Sequence, residues 1–204
     1  MIGFVQAGGG SRRFGQDKAM IELGGKTMLA RTTELVGRVC ETVQIVAPAG
    51  KYQSTPAVVI ADRYPGEGPL GGIITALAAA TTLSLRADWA LIVSCDMPFL
   101  TPDFLTFLCH RAETSSKQVI VPESASGLEP LCAVWKTEAL PKIEAAFVAG
   151  VRKVTEAMKR LPMEVLDENT WKQFDTEGRL FWNMNTPADF EEARQVLEGP
   201  KPYE

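Results

Sequence analysis

The sequence predicts an α/β protein in which a mostly parallel sheet is covered by helices on both faces, a three-layer α/β/α arrangement. Short apolar runs alternate along the chain with longer segments of helical periodicity. Two polar segments directly follow apolar runs: a glycine-rich stretch after Ile2–Gln6, and Cys95-Asp96 after Trp89–Ser94. Because ligands of such sheets bind beyond the carboxyl ends of the strands, these two segments are the first candidates for a site.

The first half of the chain contains three predicted strands and two predicted helices. Ile2–Gln6 is short, apolar and followed by glycines, which predicts a buried strand. A helix is predicted over residues 27–39, and further strands over Thr42–Ala47 and residues 57–61. After the loop "YPGEGPLGG", residues 73–85 are rich in alanine and leucine and predict a helix buried on much of its surface.

The second half continues the alternation. Trp89–Ser94 predicts a buried strand, and Thr101, Pro102 and Asp103 form a typical helix start. The remaining predictions are strands over 118–122, 131–135 and 180–184, helices over 137–149 and 151–161, and a final helix in "NTPADFEEARQVL". The chain contains no interdomain linker or internal repeat, so we expect one domain over residues 1–198 and a frayed tail over 199–204.

Composition excludes several classes of function. The chain has 204 residues, 46% hydrophobic and 23% charged, with a net charge of −4. This balance gives no global attraction for nucleic acid or an anionic membrane. No apolar run approaches the ~18 residues of a membrane span, and "MIGFVQAGGG" does not resemble a signal peptide. These features favour a cytoplasmic location.

The cysteines and the single histidine carry no metal signature. Cys40, Cys95, Cys109 and Cys132 are widely spaced and form no CxxC pair, so we expect buried, reduced thiols. His110 is the only histidine, which excludes a histidine-rich metal site.

The stretch "VQAGGGSRRFGQDKAM" fails the spacing of two familiar phosphate loops. A P-loop needs lysine where Gln16 stands, and a dinucleotide fingerprint needs glycine where Arg13 stands. The ingredients for anion binding are nevertheless present: consecutive glycines expose backbone N–H groups, Ser11 adds a hydroxyl, and Arg13 and Lys18 add positive charge. The stretch therefore predicts a polyphosphate site, the alternative being an ordinary βα turn with solvated charges.

Four motifs in order resemble those of a known family. "AGGGSRRFGQDK" (7–18) resembles the A-G-G-x-S-x-R-[MF]-G-x-D-K signature of nucleotidyltransferases with the sugar-nucleotide pyrophosphorylase type of fold, and more narrowly of the molybdenum cofactor guanylyltransferases, the MobA family. "GPLGGI" (68–73), "SCDMPFL" (94–100) and "NMNTPADF" (183–190) match the family's later motifs, and "EPLCAVW" (129–135) is a weaker match. The resemblance spans nearly the whole chain and implies a Rossmann-like, nucleotide-diphospho-sugar transferase-like fold.

The resemblance implies an Mg²⁺-dependent transfer of GMP from GTP to the phosphate of molybdopterin, with pyrophosphate released. Transient contacts with cofactor-biosynthesis proteins or recipient molybdoenzymes would accompany it. The double glycine Gly8-Gly9 favours guanylyl over cytidylyl transfer, because the related cytidylyltransferases usually have A-A-G there. The alternatives are a related enzyme that uses CTP or another NTP, a non-catalytic nucleotide-binding protein of the same fold, and an interaction module.

The resemblance also assigns roles to residues. Lys18, Arg13 and Asp96 are the expected catalytic residues, with Asp96 holding Mg²⁺; the alternative for Asp96 is a turn aspartate before Pro98. The expected nucleotide-binding residues are Gln6, Ala7, Gly8, Gly9, Gly10, Ser11, Lys18, Asp62, Gly68, Gly71, Gly72 and Asp96.

Three further residues are expected to bind the acceptor. Asn183 and Asn185 have strand spacing, so both amides would point to one face. Arg152 resembles an arginine that contacts the pterin. The alternatives are amides that support a turn and a solvated helix charge. The chain departs from the family near the expected base pocket, with Gln6 in place of leucine and Val46 in place of asparagine.

Overall fold

A computed structural model describes residues 1–8, 17–82, 87–175 and 177–199. Most of the glycine-rich loop lies outside the described residues, including the predicted site residues Gly9, Gly10, Ser11 and Arg13. Residues 200–204 of the predicted tail also lie outside. The prediction of one domain over residues 1–198 stays a prediction.

The described residues form ten strands and seven α-helices. The strands are β1 (Ile2–Gln6), β2 (Glu22–Leu23), β3 (Lys26–Thr27), β4 (Thr42–Ala47), β5 (Val58–Ala61), β6 (Trp89–Ser94), β7 (Val119–Ser124), β8 (Gly127–Leu128), β9 (Cys132–Lys136) and β10 (Met163–Leu166). The helices are α1 (Met28–Gly37), α2 (Pro69–Thr82), α3 (Pro102–Thr114), α4 (Leu140–Val148), α5 (Val154–Met158), α6 (Glu168–Trp171) and α7 (Pro187–Glu198). Short 3-10 turns occur at Lys18–Met20, Thr137–Ala139 and Lys172–Phe174.

The main sheet has the strand order β10-β7-β9-β6-β1-β4-β5, with β8 paired to β7. Its pairs are parallel except those made by β9 and β8, which are antiparallel to their neighbours. From β1 the chain builds outward through β4 and β5, and then crosses to β6 on the other side of β1. A crevice therefore opens between the carboxyl ends of β1 and β6, where Gln6 is paired with Ser94.

Helices cover both faces of this sheet, which confirms the predicted three-layer α/β/α class. Neighbouring side chains of β1 point to opposite faces. Val5 packs in a cluster with residues of α1 and α3, whereas Phe4 packs in another with residues of α2 and α4. Both side chains are fully buried. None of the helices among the described residues is long and apolar enough to cross a membrane.

A third, smaller cluster attaches the last helix to the β2–β3 hairpin. Leu23 and Met28, at the hairpin and the start of α1, pack with Met184 and with Ala193 of α7. Because the hairpin closely follows Lys18, this cluster brings the segment before α7 close to that residue.

The predicted helix starts at Thr-Pro are confirmed. In α3 the Thr101 hydroxyl accepts a hydrogen bond from the Phe104 N–H at 3.3 Å. In α7 the Thr186 hydroxyl accepts from the Asp189 N–H, and the Asp189 carboxylate accepts from the Thr186 N–H, a reciprocal capping box. Proline fits the first helical position because its missing N–H would have no partner there.

Three predictions about regular structure differ from the structure. Residues 180–184 form no strand and lie outside the sheet. Leu180, Phe181 and Met184 are buried in hydrophobic clusters, whereas Trp182 and Asn183 are half-buried. The strand at that end of the chain is β10, an edge strand whose polar and apolar residues give a weak signal. The predicted helix over 151–161 is confined to Val154–Met158, whereas α2 begins at Pro69, inside the predicted loop.

Candidate active site

A cavity of about 540 Å³ opens at the carboxyl ends of β1, β5 and β6, at the predicted crevice. A volume of that order suits a nucleotide-sized ligand. The cavity is lined by Gln6, Gly8, Asp17, Lys18, Ala19, Pro48, Lys51, Asp62, Gly66, Gly68, Pro69, Ser94, Cys95, Asp96 and Leu131. The structure therefore brings Lys18 and Asp96, the two described residues predicted to be catalytic, to one site.

Asp96 has an unusual environment for a carboxylate. Its backbone carbonyl accepts a hydrogen bond from the Met184 N–H at 2.9 Å. Its carboxylate Oδ1 is buried and has no hydrogen-bond partner among the described residues. A turn aspartate would use its side chain to cap nearby N–H groups, whereas an unpartnered buried carboxylate oxygen is costly. The environment fits a carboxylate that receives a cation.

The donor set also indicates which kind of cation fits. Among the described residues there is no cluster of three or more histidine, cysteine, aspartate or glutamate side chains that could hold a metal. Mg²⁺ commonly binds through only one or two carboxylates and completes its coordination with phosphate oxygens and water. Asp96 therefore suits a magnesium ion that arrives with a nucleotide better than a permanent all-protein site.

The C-terminal end of the glycine-rich loop is anchored through Asp17. Its carboxylate accepts hydrogen bonds from Lys51 Nζ at 2.7 Å, from the Tyr52 hydroxyl at 2.8 Å and from the Ala19 N–H at 3.2 Å. Burial acts to raise the pKa of Asp17, but the bonds from Lys51 and Tyr52 outweigh it and lower that pKa. An ionised Asp17 therefore ties the loop to the segment after β4.

Lys18 is held on the other side by the segment before α7. Its Nζ donates to Asn185 Oδ1 at 2.8 Å. The amides of Asn183 and Asn185, which are predicted to point to one face, have different hydrogen-bond partners. Asn183 Nδ2 donates to the Phe181 carbonyl at 3.1 Å, so this amide supports the local turn. Among the described hydrogen bonds of these two amides, only that of Asn185 reaches a residue of the cavity, Lys18.

Asp62 lines the cavity and also orders the loop before α2. Its Oδ1 accepts from the Thr75 hydroxyl at 3.0 Å and from the Tyr64 N–H at 3.0 Å. Asp62 thus supports a turn, and the same residue lines the cavity where the nucleotide is predicted to bind.

The four described glycines that are predicted to bind the nucleotide divide into two groups. Gly8 and Gly68 line the cavity and have φ values of 122° and 85°, which favour glycine. Gly71 and Gly72 do not line it: a Cβ at Gly71 would lie 2.8 Å from Tyr64 Cβ, and one at Gly72 only 1.6 Å from Gln6 Nε2. These two glycines permit close packing of α2 instead of exposing backbone to the cavity.

Gln6 and Ala7 mark the end of β1. The Gln6 Nε2 donates to the Pro69 carbonyl at 2.9 Å, and its Oε1 is buried without a partner among the described residues. Since a carbonyl can only accept, this contact fixes the orientation of the carboxamide. Ala7 is buried and its N–H donates to the Val46 carbonyl at 2.9 Å, so it continues the sheet.

Arg152 does not line the cavity but lies against the loop that does. Its Nε donates to Glu67 Oε2 at 2.6 Å, and its guanidinium lies 4.0 Å from the centre of the Phe147 ring. Glu67 stands between Gly66 and Gly68, which both line the cavity. The predicted contact between Arg152 and the acceptor stays a prediction.

Sequence reasoning missed several residues near the site. Lys51 and Tyr52 lie in a loop without a motif, and only the fold brings them to Asp17. Glu129 is buried, and its Oε1 accepts from the Ser124 hydroxyl at 2.6 Å. Burial and the nearby charge of Asp96 raise the pKa of Glu129, against the effect of the Ser124 bond. The motif "EPLCAVW", which begins at Glu129, was the available signal.

Comparisons with known proteins give a consistent result. A family model described as the MobA-like NTP transferase domain matches residues 3–163. A protein of Chloroflexus aggregans named probable molybdenum cofactor guanylyltransferase is 33% identical over 97% of this chain and 95% of its own length. A molybdenum cofactor guanylyltransferase of Desulfosudis oleivorans is 33% identical over 97% of this chain and 96% of its own.

A solved structure extends the similarity to three dimensions. The crystal structure of molybdopterin-guanine dinucleotide biosynthesis protein A from Archaeoglobus fulgidus superposes with a TM-score of 0.84 at 26% identity. The match covers 98% of this chain and 100% of the Archaeoglobus fulgidus chain. The similarity therefore includes both the strand ends that form the cavity and the last helix.

Proposed function

This chain belongs to the family of MobA-like NTP transferase domains, and from that premise we propose that it transfers GMP from GTP to the phosphate of molybdopterin or molybdenum cofactor, releasing pyrophosphate. The observation that carries the proposal is the convergence of Lys18 and Asp96 on one cavity at the carboxyl ends of β1 and β6.

The reaction is a substitution at the α-phosphorus of GTP. An oxygen of the acceptor phosphate forms a bond to that phosphorus, and the bond from phosphorus to the bridging oxygen of pyrophosphate breaks. This chemistry depends on in-line positioning and on neutralising charge as it shifts to the leaving group. Lys18 would bind phosphate oxygens and stabilise that charge, together with the backbone N–H of Gly8. We assign the same role to Arg13 and to the backbone of Gly9, Gly10 and Ser11.

Asp96 would hold a magnesium ion through its buried, unpartnered oxygen. When bound, such an ion polarises phosphate oxygens and offsets their negative charge. Asp62 lies on the same cavity wall and would contact the nucleotide from the side of β5. Its bonds to Thr75 and Tyr64 would keep that carboxylate in a fixed position.

Gln6 is positioned to contribute to recognition of the base. Gln6 lines the cavity, its Nε2 donates to the Pro69 carbonyl, and its Oε1 is buried without a partner among the described residues. Oε1 would have to turn towards the cavity to act as an acceptor. Guanine offers N1–H and exocyclic N–H donors, which complement an acceptor. This chain has Gln6 where the family commonly has leucine, and Val46 where it often has asparagine. We propose that Gln6 contributes to recognition of the guanine base in their place.

One experiment separates the possible functions. The protein is incubated with molybdopterin, Mg²⁺ and each NTP in turn, and pyrophosphate release is measured. We expect release with GTP. Release with CTP alone would instead identify a related nucleotidyltransferase. Tight binding of GTP without release with any NTP would identify a non-catalytic nucleotide-binding protein.

The two assigned residues can be tested by substitution. Lys18→Ala and Asp96→Ala should each lower kcat by about 100-fold or more, because each removes charge stabilisation from the transition state. Both variants should keep the far-ultraviolet circular dichroism of the unmodified chain. The matched control is Lys26→Ala, which removes an exposed lysine paired with Glu34 outside the cavity. Full activity of either cavity variant would show that its assigned role is wrong.

A further inference from the structure

We propose that Asp189 of α7 is a positioning residue, which orients Lys18 through Asn185 and holds it in register with Asp96. The catalytic consequence rests on the function proposed above, whereas the contacts themselves do not. We call residues 184–189 the brace, because this segment contacts both Lys18 and Asp96.

The contacts of the brace form a continuous path. Lys18 Nζ donates to Asn185 Oδ1 at 2.8 Å. The backbone N–H groups of Asn185 and Thr186 both donate to Asp189 Oδ2 at 2.7 Å. One residue earlier, the Met184 N–H donates to the Asp96 carbonyl at 2.9 Å. Neighbouring positions of one segment thus contact the two residues assigned to the reaction.

The brace is fixed at both of its ends. Met184 is fully buried in the cluster that joins α7 to the β2–β3 hairpin. At the other end, the capping box of α7 holds Asp189 against Thr186. Burial acts to raise the pKa of Asp189, but the N–H bonds from Asn185 and Thr186 outweigh it and lower that pKa. Asp189 is therefore ionised at neutral pH and accepts both N–H groups.

The chemistry of Asn185 suits an orienting role. A lysine side chain has a flexible four-carbon stem, and its rotamer freedom must be lost before it can act at a fixed point. An amide oxygen orients the ammonium group without neutralising its charge, which a carboxylate partner would do. Since an ammonium group has three N–H donors, Lys18 can keep the bond to Asn185 while it binds phosphate.

The chain contains a matched control for the start of α7. Helix α3 also begins with threonine, proline and an acidic residue in the first turn, here Thr101, Pro102 and Asp103. Asp103 is exposed and lies in a different part of the fold. Asp103 is the second residue after its N-cap, whereas Asp189 is the third and closes a capping box. Asp103→Ala therefore reports the loss of a first-turn charge without the loss of a capping box.

The first experiment measures kcat and KM for Asp189→Ala, Asn185→Ala, Lys18→Ala and the double variant Lys18→Ala/Asp189→Ala. We expect Asp189→Ala and Asn185→Ala to lower kcat by about 10-fold or more, the scale of a misplaced catalytic group. The KM for GTP should change little. The double variant should be no slower than Lys18→Ala alone, because Asp189 acts through Lys18.

Two results would overturn the proposal. A double variant slower than Lys18→Ala by the full factor of Asp189→Ala would show that the two residues act independently. An equal loss of kcat in Asp103→Ala would show that the effect does not depend on the contacts of the brace. Asn185→Ala leaves the capping box intact, so it tests the path even if Asp189→Ala folds poorly.

A second measurement is independent of the proposed function. The rate at which acetic anhydride acetylates Lys18 is followed by mass spectrometry in the nucleotide-free protein. Loss of an orienting hydrogen bond should raise this rate at least about twofold in Asp189→Ala and Asn185→Ala, and not in Asp103→Ala. An unchanged rate would overturn the brace, whereas absent GMP transfer with a raised rate would overturn only the proposed function.

Discussion

Glu129 lies near enough to Asp96, which lines the cavity, for the charge of Asp96 to raise the pKa of Glu129. Glu129 is buried beside Ser124, and Asp96 has an unpartnered carboxylate oxygen. Neither environment stabilises the fold, because burying a carboxylate without a full set of hydrogen-bond or ionic partners lowers the free energy of unfolding. Such strain commonly accompanies sites that receive a cation or a substrate.

The raised pKa of Glu129 makes a prediction about pH. A native carboxyl with a raised pKa binds its proton more readily than the unfolded chain does, so its charge destabilises the fold at neutral pH. This cost disappears as the pH falls towards the ordinary value of 4.5. Glu129→Gln should therefore have a higher Tm than the unmodified chain at pH 8, with a difference that shrinks towards pH 4.5.

Thermal unfolding at a series of pH values checks this prediction. The control is Glu192→Gln, which changes an exposed glutamate on α7 and should leave Tm nearly unchanged. A Tm difference for Glu129→Gln that grew as the pH fell would contradict the assignment.

The sequence identified individual residues of the site unevenly, and the reason is physical. Lys18 and Asp96 both lie within motifs that follow buried strands, β1 and β6, and both line the cavity. Lys51 and Tyr52 contact Asp17 across 34 and 35 positions of chain, in a loop with no pattern. Contacts of that kind depend on how loops fold over the sheet, which local periodicity does not report.

Strand β1 and helix α2 approach each other closely at one point. A Cβ at Gly72 would lie 1.6 Å from Gln6 Nε2 and 2.5 Å from its Cδ. With Gln6 in this conformation, a side chain at position 72 would displace its carboxamide, so the two residues form one packing unit. The departure from leucine at Gln6 is accommodated by α2.

Gly72→Ala tests this contact between elements. The added methyl group should destabilise the chain by about 1–3 kcal/mol, since it forces Gln6 out of place. In a Gln6→Ala background the clash is gone, and the same substitution should stabilise by up to about 1 kcal/mol through helix propensity. Unfolding in urea measures both values.

Gly37→Ala in α1 is the control for this pair. A Cβ at Gly37 would meet only Val43 Cγ2, at 3.9 Å, so alanine should be tolerated or slightly stabilising. Equal effects of Gly72→Ala with and without Gln6 would show that the contact does not determine the cost.

Among the strands and helices, the sequence predicted those bounds that neighbouring residues along the chain determine. Strands β1, β4 and β6 match their predicted bounds because each is a buried apolar run that ends at a turn. The starts of α3 and α7 match because threonine and proline define them. Residues 180–184 were misread because their apolar side chains pack against helices, and β10 was missed because an edge strand is only partly buried.

Across the whole molecule, a net charge of −4 contrasts with a site expected to bind a polyphosphate. Local groups must therefore overcome the overall repulsion, and under the proposed function a bound cation would contribute to that balance. The molecule should consequently be stabilised by Mg²⁺ and GTP together more than by GTP alone. This difference in stabilisation is a property of the whole folded chain, because it is measured by global unfolding.

Ligand-linked unfolding gives the corresponding prediction. At about 100 times its dissociation constant, MgGTP should raise Tm by about 5–10 °C for a domain of this size. In Asp96→Asn the increment due to Mg²⁺ should disappear, since the carboxylate that holds the ion is gone. The same substitution should raise the Tm of the nucleotide-free protein, because it removes a carboxylate with one buried oxygen that has no partner among the described residues.

Thermal unfolding with GTP in the presence and absence of Mg²⁺ supplies the measurement. Asp103→Asn, at an exposed first-turn acid, serves as the control and should keep the full increment. A Mg²⁺-dependent increment that survives in Asp96→Asn would place the ion elsewhere.

The bond between Lys18 and Asn185 joins positions 167 residues apart. During synthesis, the ribosome releases Lys18 long before it releases Asn185. We therefore expect a nascent chain to complete its sheet while the ammonium group still lacks its orienting partner. Competence for the reaction would then arrive only with the last helix, so an unfinished chain would not consume nucleotide.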